Sequence, residues 1–304
     1  MTNVTGRPGD STVRLRDGRR LQVLEIGKRN GFPIFHFHGN GSSRLEIFTV
    51  QSRAEPLGVR LICPDRPGIG RSDIRPGYQL LDWPDDVVEV ADQLGLERFV
   101  VERFSGGAPF TLAGAYKIPH RLISCGLISP ATGPFIQRAG SFALRSKVWM
   151  LTHLPWLVRA LVRLYMRLYG SDEASIEKRL VRAGGRLGDA DSQLLDNEFI
   201  RKAFAQATAE SLRQAADAAT RDAIVFSKPW DFAVERIMFE HLFLWHGEQD
   251  PIMPAAAAHL LAQALPHCTA TFYPNEGHLS TFVSHAQEIW KALRAAHMRR
   301  SATP

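Results

Sequence analysis

The sequence predicts an α/β domain built on a mostly parallel sheet with helices on both faces. Short apolar runs at 33–38, 59–63, 99–101, 122–128, 241–245 and 269–273 alternate with helical patterns, which is the spacing of crossover connections. Those runs lack the strict polar alternation of a sheet with one wet face, so both faces of the sheet are covered. Reactive residue types follow directly after several of the runs, at the sheet edge where α/β sites form.

Residues 13–16 and 21–26 flank Asp17-Gly18 and read as an opening hairpin. The run 33–38 enters His38-Gly39-Asn40-Gly41-Ser42, and a helix follows from about Ser43. The run 59–63 ends in the turn-rich Asp65-Arg66-Pro67-Gly68-Ile69-Gly70-Arg71-Ser72. Asp82 caps a helix with Val87, Ala91 and Leu94 on one face, and Gly95 ends it. The strand from Phe99 leads into Ser105-Gly106-Gly107 and a helix over 108–116. From about 131 to 237 the pattern changes to helices at 149–168 and 197–226 with no clear strand. The sheet resumes at 241, a helix covers 254–265, and a last helix starts near Thr281. The expected division is a core of 1–130 and 238–304 around a helical cap of 131–237.

The 304 residues suffice for one large domain with an insertion, and a core of that size needs neither disulfides nor a structural metal. Three cysteines, an odd and sparse set, point to a reducing compartment rather than a disulfide framework. The first twenty residues hold no apolar h-region and no stretch approaches a membrane span, so a cytoplasmic protein is expected. The net charge of +6 is spread over the chain with no nucleic-acid motif, which argues against nucleic acid as a partner.

Three loops carry the candidate chemistry. Ser105 stands at a strand-to-helix turn whose small neighbours Gly106 and Gly107 permit a sharp bend, and the N–H of Gly106 can face an oxyanion. Asp250, in Gly247-Glu248-Gln249-Asp250-Pro251, can orient a histidine, and His278, on the loop after the final strand, can reach the serine. Alone, each also fits a glycine loop, an Asp-Pro turn or a surface histidine. Together they follow the order Ser, Asp, His, each just past a strand. His38-Gly39-Asn40-Gly41 supplies further donors, the backbone of Asn40 or Gly41 beside that of Gly106. His36 and His38 have no Cys or carboxylate cluster beside them in sequence, so they read as structural; no metal and no cofactor are expected.

These stretches, with Ala108-Pro109 after the elbow and His246-Gly247 before Asp250, resemble the α/β-hydrolase superfamily from about Val13 to His297. The pattern is most similar to capped bacterial esterase-like and aminopeptidase-like serine hydrolases. The resemblance implies Ser105 as nucleophile, His278 as general base and Asp250 as its partner. It disfavours epoxide hydrolysis and dehalogenation, which need a carboxylate in place of Ser105. The implied activity is cleavage of a carboxylic ester, lactone or amide in a small molecule with an apolar acyl part. Acyl transfer to another acceptor, or ligand binding on a hydrolase scaffold, stays open as an alternative.

One residue departs from the family pattern: the first small position of the elbow is Arg103. It tunes the site, binds a substrate carboxylate or marks weakened catalysis, with Glu102 a candidate charge partner. Phe104, Trp149 and Trp230 are further candidates for the substrate pocket. In the cap, Leu157, Leu161, Tyr165 and Leu168 form an apolar face and Arg159, Arg163 and Arg167 a polar stripe. That helix packs on the core, covers an acyl pocket or rests on a membrane surface. No sequence feature bears on the oligomeric state.

Overall fold

The computed structural model describes residues 3–4, 9–183, 186–214 and 216–301. Its strands are β1 (Asn3–Val4), β2 (Asp10–Arg14), β3 (Arg20–Gly27), β4 (Phe32–Phe37), β5 (Val59–Pro64), β6 (Phe99–Phe104), β7 (Leu122–Ile128), β8 (Leu242–Gly247) and β9 (Cys268–Tyr273). They form one sheet in the order β1-β2-β3-β5-β4-β6-β7-β8-β9. The first three strands meander and β3 meets β5 antiparallel; the rest is parallel. This is the expected α/β-hydrolase fold.

The helices are α1 (Gln51–Ala54), α2 (Trp83–Gln93), α3 (Ala108–Lys117), α4 (Ile136–Ala139), α5 (Phe142–His153), α6 (Pro155–Tyr169), α7 (Glu173–Ala183), α8 (Asp189–Asp196), α9 (Glu198–Ser211), α10 (Ala216–Ser227), α11 (Ala255–Ala264) and α12 (His278–Ser301). On one face of the sheet α2, α3 and α11 pack over Phe35, Val101 and Leu127. On the other, Phe282, Val283, Ala286, Ile289, Trp290 and Leu293 of α12 form one stripe against Ile34, Val100 and Ile128. Every residue of β6 and β7 is buried, as strands covered on both faces must be.

Between β7 and β8 the described residues form helices α4 to α10 and no strand. Two expectations are corrected there. The helix predicted over 149–168 is two helices, α5 and α6, divided at Leu154-Pro155. Proline has no N–H to continue α5 and restrains the residue before it, so Pro155 serves instead as the first residue of α6. The helix predicted over 197–226 likewise divides into α9 and α10. Asp82 also acts differently: its carboxylate accepts from the N–H of Gln79 at 2.8 Å, closing a capping box one turn earlier than predicted.

Candidate active site

β6 hands over directly to Ser105, which adopts φ = 53°. Among the described residues only Ser105 and Ser129 hold a positive φ without being glycine. Such a conformation is sterically unfavourable for an L-residue, and the packing on both sides must enforce it. Gly106 permits that packing: a Cβ there would stand 2.6 Å from Asn40 Cβ and 2.7 Å from Asn40 N. The main chains of the elbow and of the loop after β4 therefore touch, and no larger residue fits at 106. Ser105, Gly106, Gly39, Asn40, Gly41 and His278 all line one cavity of about 440 Å³.

His278 is not on a free loop, as its sequence position suggested. It is the first residue of α12. Its Nδ1 lies 2.6 Å from Asp250 Oδ2, and its ring packs on Phe104 at 4.9 Å. Asp250 is buried behind the imidazole, where its Oδ1 accepts from the N–H groups of Ile252 and Met253 at 2.8 Å each. Burial pushes the Asp250 carboxyl up, but the charge and hydrogen bond of His278, the neighbouring His246 and the Met253 N–H outweigh it, and the net shift is downward. With Asp250 ionised, Nδ1 of His278 carries the proton and Nε2 is left free to act as a base.

The His278 main chain is held from the helical insertion. Asp191, fully buried in α8, accepts from the N–H groups of His278 (2.9 Å), Leu279 (3.0 and 3.1 Å) and Ser280 (2.8 Å). A carboxylate at this point satisfies donors that the first turn of a helix cannot pair and offsets the positive end of the helix dipole. Gly277 makes the approach possible, since a Cβ there would meet the Asp191 carboxylate at 2.6 Å. On the opposite side Ser129, the second residue at positive φ, donates its Oγ–H to the His278 carbonyl at 3.0 Å. Neither contact was legible in the sequence, because Asp191 lies 87 residues from His278 and Ser129 lies 149 residues away. Replacing Asp191 with alanine strands three helix-start donors, two of them buried, so stability should fall by about 2 kcal/mol and turnover by about tenfold. Asp191→Asn, which keeps an acceptor oxygen, should recover part of both. Urea unfolding and kcat of the three proteins measure this; an alanine variant equal to wild type in both would remove the role.

The loop after β4 is fixed by buried charges. Glu46 accepts from the Gly39 N–H at 3.1 and 3.2 Å and from His36 Nε2 at 2.9 Å, while His36 Nδ1 meets Glu102 at 3.1 Å. Arg66 donates to the carbonyls of His38 (2.8 Å) and Gly39 (3.2 Å) and to Asp222 of α10 (2.7 Å), tying the loop to the insertion. His36 and His38 thus both have structural partners. Burial pushes the His36 imidazole down, but Glu102 and Glu46 outweigh it and raise its pKa to about 9. His36 is therefore an imidazolium in the folded protein. The stability it adds is complete below its unfolded value of 6.5 and is lost as the pH rises through about 9. The loss amounts to about 3 kcal/mol, and a denaturant midpoint that stays flat from pH 6.5 to 9 would contradict it.

Three expected pocket residues lie elsewhere. Arg103 is fully buried and does not line the cavity. β6 runs three residues further than its apolar run, so strand alternation turns residue 103 away from the face of Glu102 and Phe104. Its Nε lies 3.2 Å from the Cβ position of Gly107, beneath the first turn of α3. Glu102 is not its partner, being bonded to His36 and to Trp290 Nε1 at 2.9 Å. Trp149 is exposed on α5 and stacks on His153 at 4.9 Å. Trp230 covers Gly133, stacks on Phe232 at 5.7 Å and donates to the Phe226 carbonyl at 3.1 Å. Phe104 does line the cavity. The remaining wall is mostly apolar and comes largely from the insertion, including Val148, Leu151, Val158, Val162, Phe204 and Phe226.

A nucleophile-type elbow, a buried carboxylate–histidine pair and a mostly parallel sheet define a class. The chain belongs to the alpha/beta hydrolase fold family, whose model matches residues 33–284. It is similar to a pimeloyl-[acyl-carrier protein] methyl ester esterase of Aromatoleum aromaticum, 29% identical over 248 residues that cover 80% of this chain and 89% of that one. It is also similar to a putative non-heme haloperoxidase of Mycobacterium phage D29, 28% identical over 123 residues. That match takes in 40% of this chain and spans less than half, 44%, of the relative. Among solved structures, a thermophilic esterase from Thermogutta terrifontis shares the fold with a TM-score of 0.68 at 20% identity, covering 95% of this chain and 99% of that one.

Proposed function

We propose that the protein is a serine hydrolase that cleaves an ester-like bond in a small molecule through an acyl-serine intermediate. The observation that carries this reading is Ser105 at φ = 53° in the same cavity as His278, whose Nδ1 is held by Asp250 at 2.6 Å.

In this reading Ser105 Oγ attacks the carbonyl carbon while His278 Nε2 takes its proton. Asp250 keeps Nδ1 protonated and stabilises the imidazolium that forms. The carbonyl oxygen gains negative charge and is met by the N–H groups of Gly106 and of Asn40 or Gly41, each worth about 3 kcal/mol in known sites. His278 returns its proton to the departing alcohol oxygen. Water, deprotonated by His278, then attacks the acyl carbon, and Ser105 Oγ leaves as it takes that proton back from His278, which releases the acid. The apolar wall suits an apolar acyl group, which gains about 0.8 kcal/mol for each methylene it buries.

A fluorophosphonate probe should label the protein at Ser105, and kcat/KM over p-nitrophenyl esters should rise with chain length until the cavity fills. Absence of both labelling and turnover in folded protein would sink the proposal.

A further inference from the structure

The charge excess, dispersed when counted over the whole chain, is concentrated in one place. No Asp or Glu occurs from residue 103 to residue 171. Within that stretch α5 and α6 form a helical hairpin on the surface and carry Arg145, Lys147, Arg159, Arg163 and Arg167. α6 has no buried residue along its 15-residue length. The sequence placed Leu157, Leu161, Tyr165 and Leu168 on one apolar face, open to core packing, a pocket or a membrane surface, and Leu161, Tyr165 and Leu168 are exposed. The helix rests on the body through Val158 and Val162 instead, which leaves half of its apolar arc bare. Leu168 reaches 67% exposure, and beside those three Phe142 and Trp156 reach 79% and 66%.

The bare arc forms one wall of an open apolar groove of about 590 Å³ between α5 and α6. Lys147, Leu151, Val158 and Val162 line both this groove and the catalytic cavity, so a single layer of side chains separates them. A patch of this extent on a soluble protein marks an interaction surface. Large apolar and aromatic side chains among basic ones with no acidic residue are the composition of a helix lying in a lipid interface. Among the described residues no helix is long and apolar enough to cross a membrane, so the contact would be peripheral.

We propose that the α5–α6 face docks on an anionic lipid surface. Its basic residues complement anionic headgroups. A second copy of the chain fits less well, because a two-fold contact would set this cationic face against itself. Docked in this way, the protein would hold the shared layer of side chains, and the catalytic cavity behind it, against the acyl region of the bilayer. The docking does not rest on the serine hydrolase reading.

The test is co-sedimentation of the full chain with phosphatidylcholine vesicles carrying about one third phosphatidylglycerol, and with phosphatidylcholine alone. We expect binding to the anionic vesicles with a blue shift of tryptophan emission. Binding should weaken at least tenfold at high salt, and at least tenfold in Leu164→Glu/Leu168→Glu. Both positions are exposed and outside the catalytic cavity, and an unchanged melting temperature shows that the variant is folded. Arg167→Glu gives a second variant with the same expectation. Ser105→Ala should bind as wild type does, which separates docking from turnover. No binding by wild type, or equal binding by both variants, would overturn the proposal. So would a dimer in lipid-free solution that either variant dissociates, because a second copy would then cover the face.

Discussion

Replacing Ser105 with alanine should reduce ester turnover by a factor of about 10⁴–10⁶ while leaving the fold intact. The magnitude follows from the arrangement of the groups. In the proposed mechanism, without Oγ the base His278 and the donors at Gly106 and Asn40 would face a carbonyl that nothing attacks, so the three groups would fail as a unit. Substrate affinity should change little, because the apolar wall is untouched. A companion substitution separates chemistry from conformation. Ser105 holds φ = 53°, a region in which a side chain is strained by about 1–3 kcal/mol. Ser105→Gly should relieve that strain and melt a few degrees above Ser105→Ala, with both variants inactive. Calorimetry and a p-nitrophenyl ester assay on the three proteins measure both effects. Turnover by Ser105→Ala within tenfold of wild type would remove the serine mechanism altogether.

The second large effect concerns Arg103, and it runs opposite to the usual direction. The guanidinium is fully buried, and none of its three nitrogens has a hydrogen-bond partner among the described residues. Burial pushes its pKa well down, the charge of Arg66 adds to that, and Glu46 opposes it. An arginine does not deprotonate in a folded protein, so the charge persists at a cost of several kcal/mol. Arg103→Met keeps the long unbranched stem and removes the charge. It should stabilise the protein by about 2–4 kcal/mol. Because Arg103 does not line the cavity, KM for neutral esters should stay within about threefold, less than the tenfold that 1.4 kcal/mol of lost binding would produce. A lower melting temperature for Arg103→Met would refute this and would mean that the guanidinium is held by a partner. The reading of Arg103 as a ligand for a substrate carboxylate is already set aside by its position beneath α3.

Most of the sheet was legible because buried parallel strands leave continuous apolar runs between turn signals. The run 122–128 reappears residue for residue as β7, and the others shift by one to three residues at their ends. β6 was the weakest reading, since Glu102 and Arg103 broke its apolar pattern although both are buried within the strand. The insertion was read correctly as helical, but its breaks were missed where one helix follows another with only a proline or a short turn between them. Periodicity gives no phase change there, and Pro155 was the available signal.

The candidate residues Ser105, Asn40, Gly41, Gly106, Asp250 and His278 could be named from the sequence because each follows a strand, and in a parallel sheet all such loops open at one edge. That inference is local: it needs only strand direction and order along the chain. What holds those residues is not local. Asp191 grips the start of α12 from 87 residues away, Arg66 joins the loop after β4 to Asp222 across 156 residues, and Glu46 and Glu102 enclose His36. Of these pairs only His36 and Glu46, ten residues apart, fall within one sequence window, and a buried carboxylate and a surface carboxylate look alike in it. The sequence by itself determined the sheet, the order of the reactive residues and the existence of a helical insertion. Only the tertiary structure decided which charges are buried together, that Arg103 lies under the elbow rather than in the pocket, and that α6 leaves half of its apolar face bare. Burial and pairing depend on which elements meet in space, and a one-dimensional pattern does not carry that information.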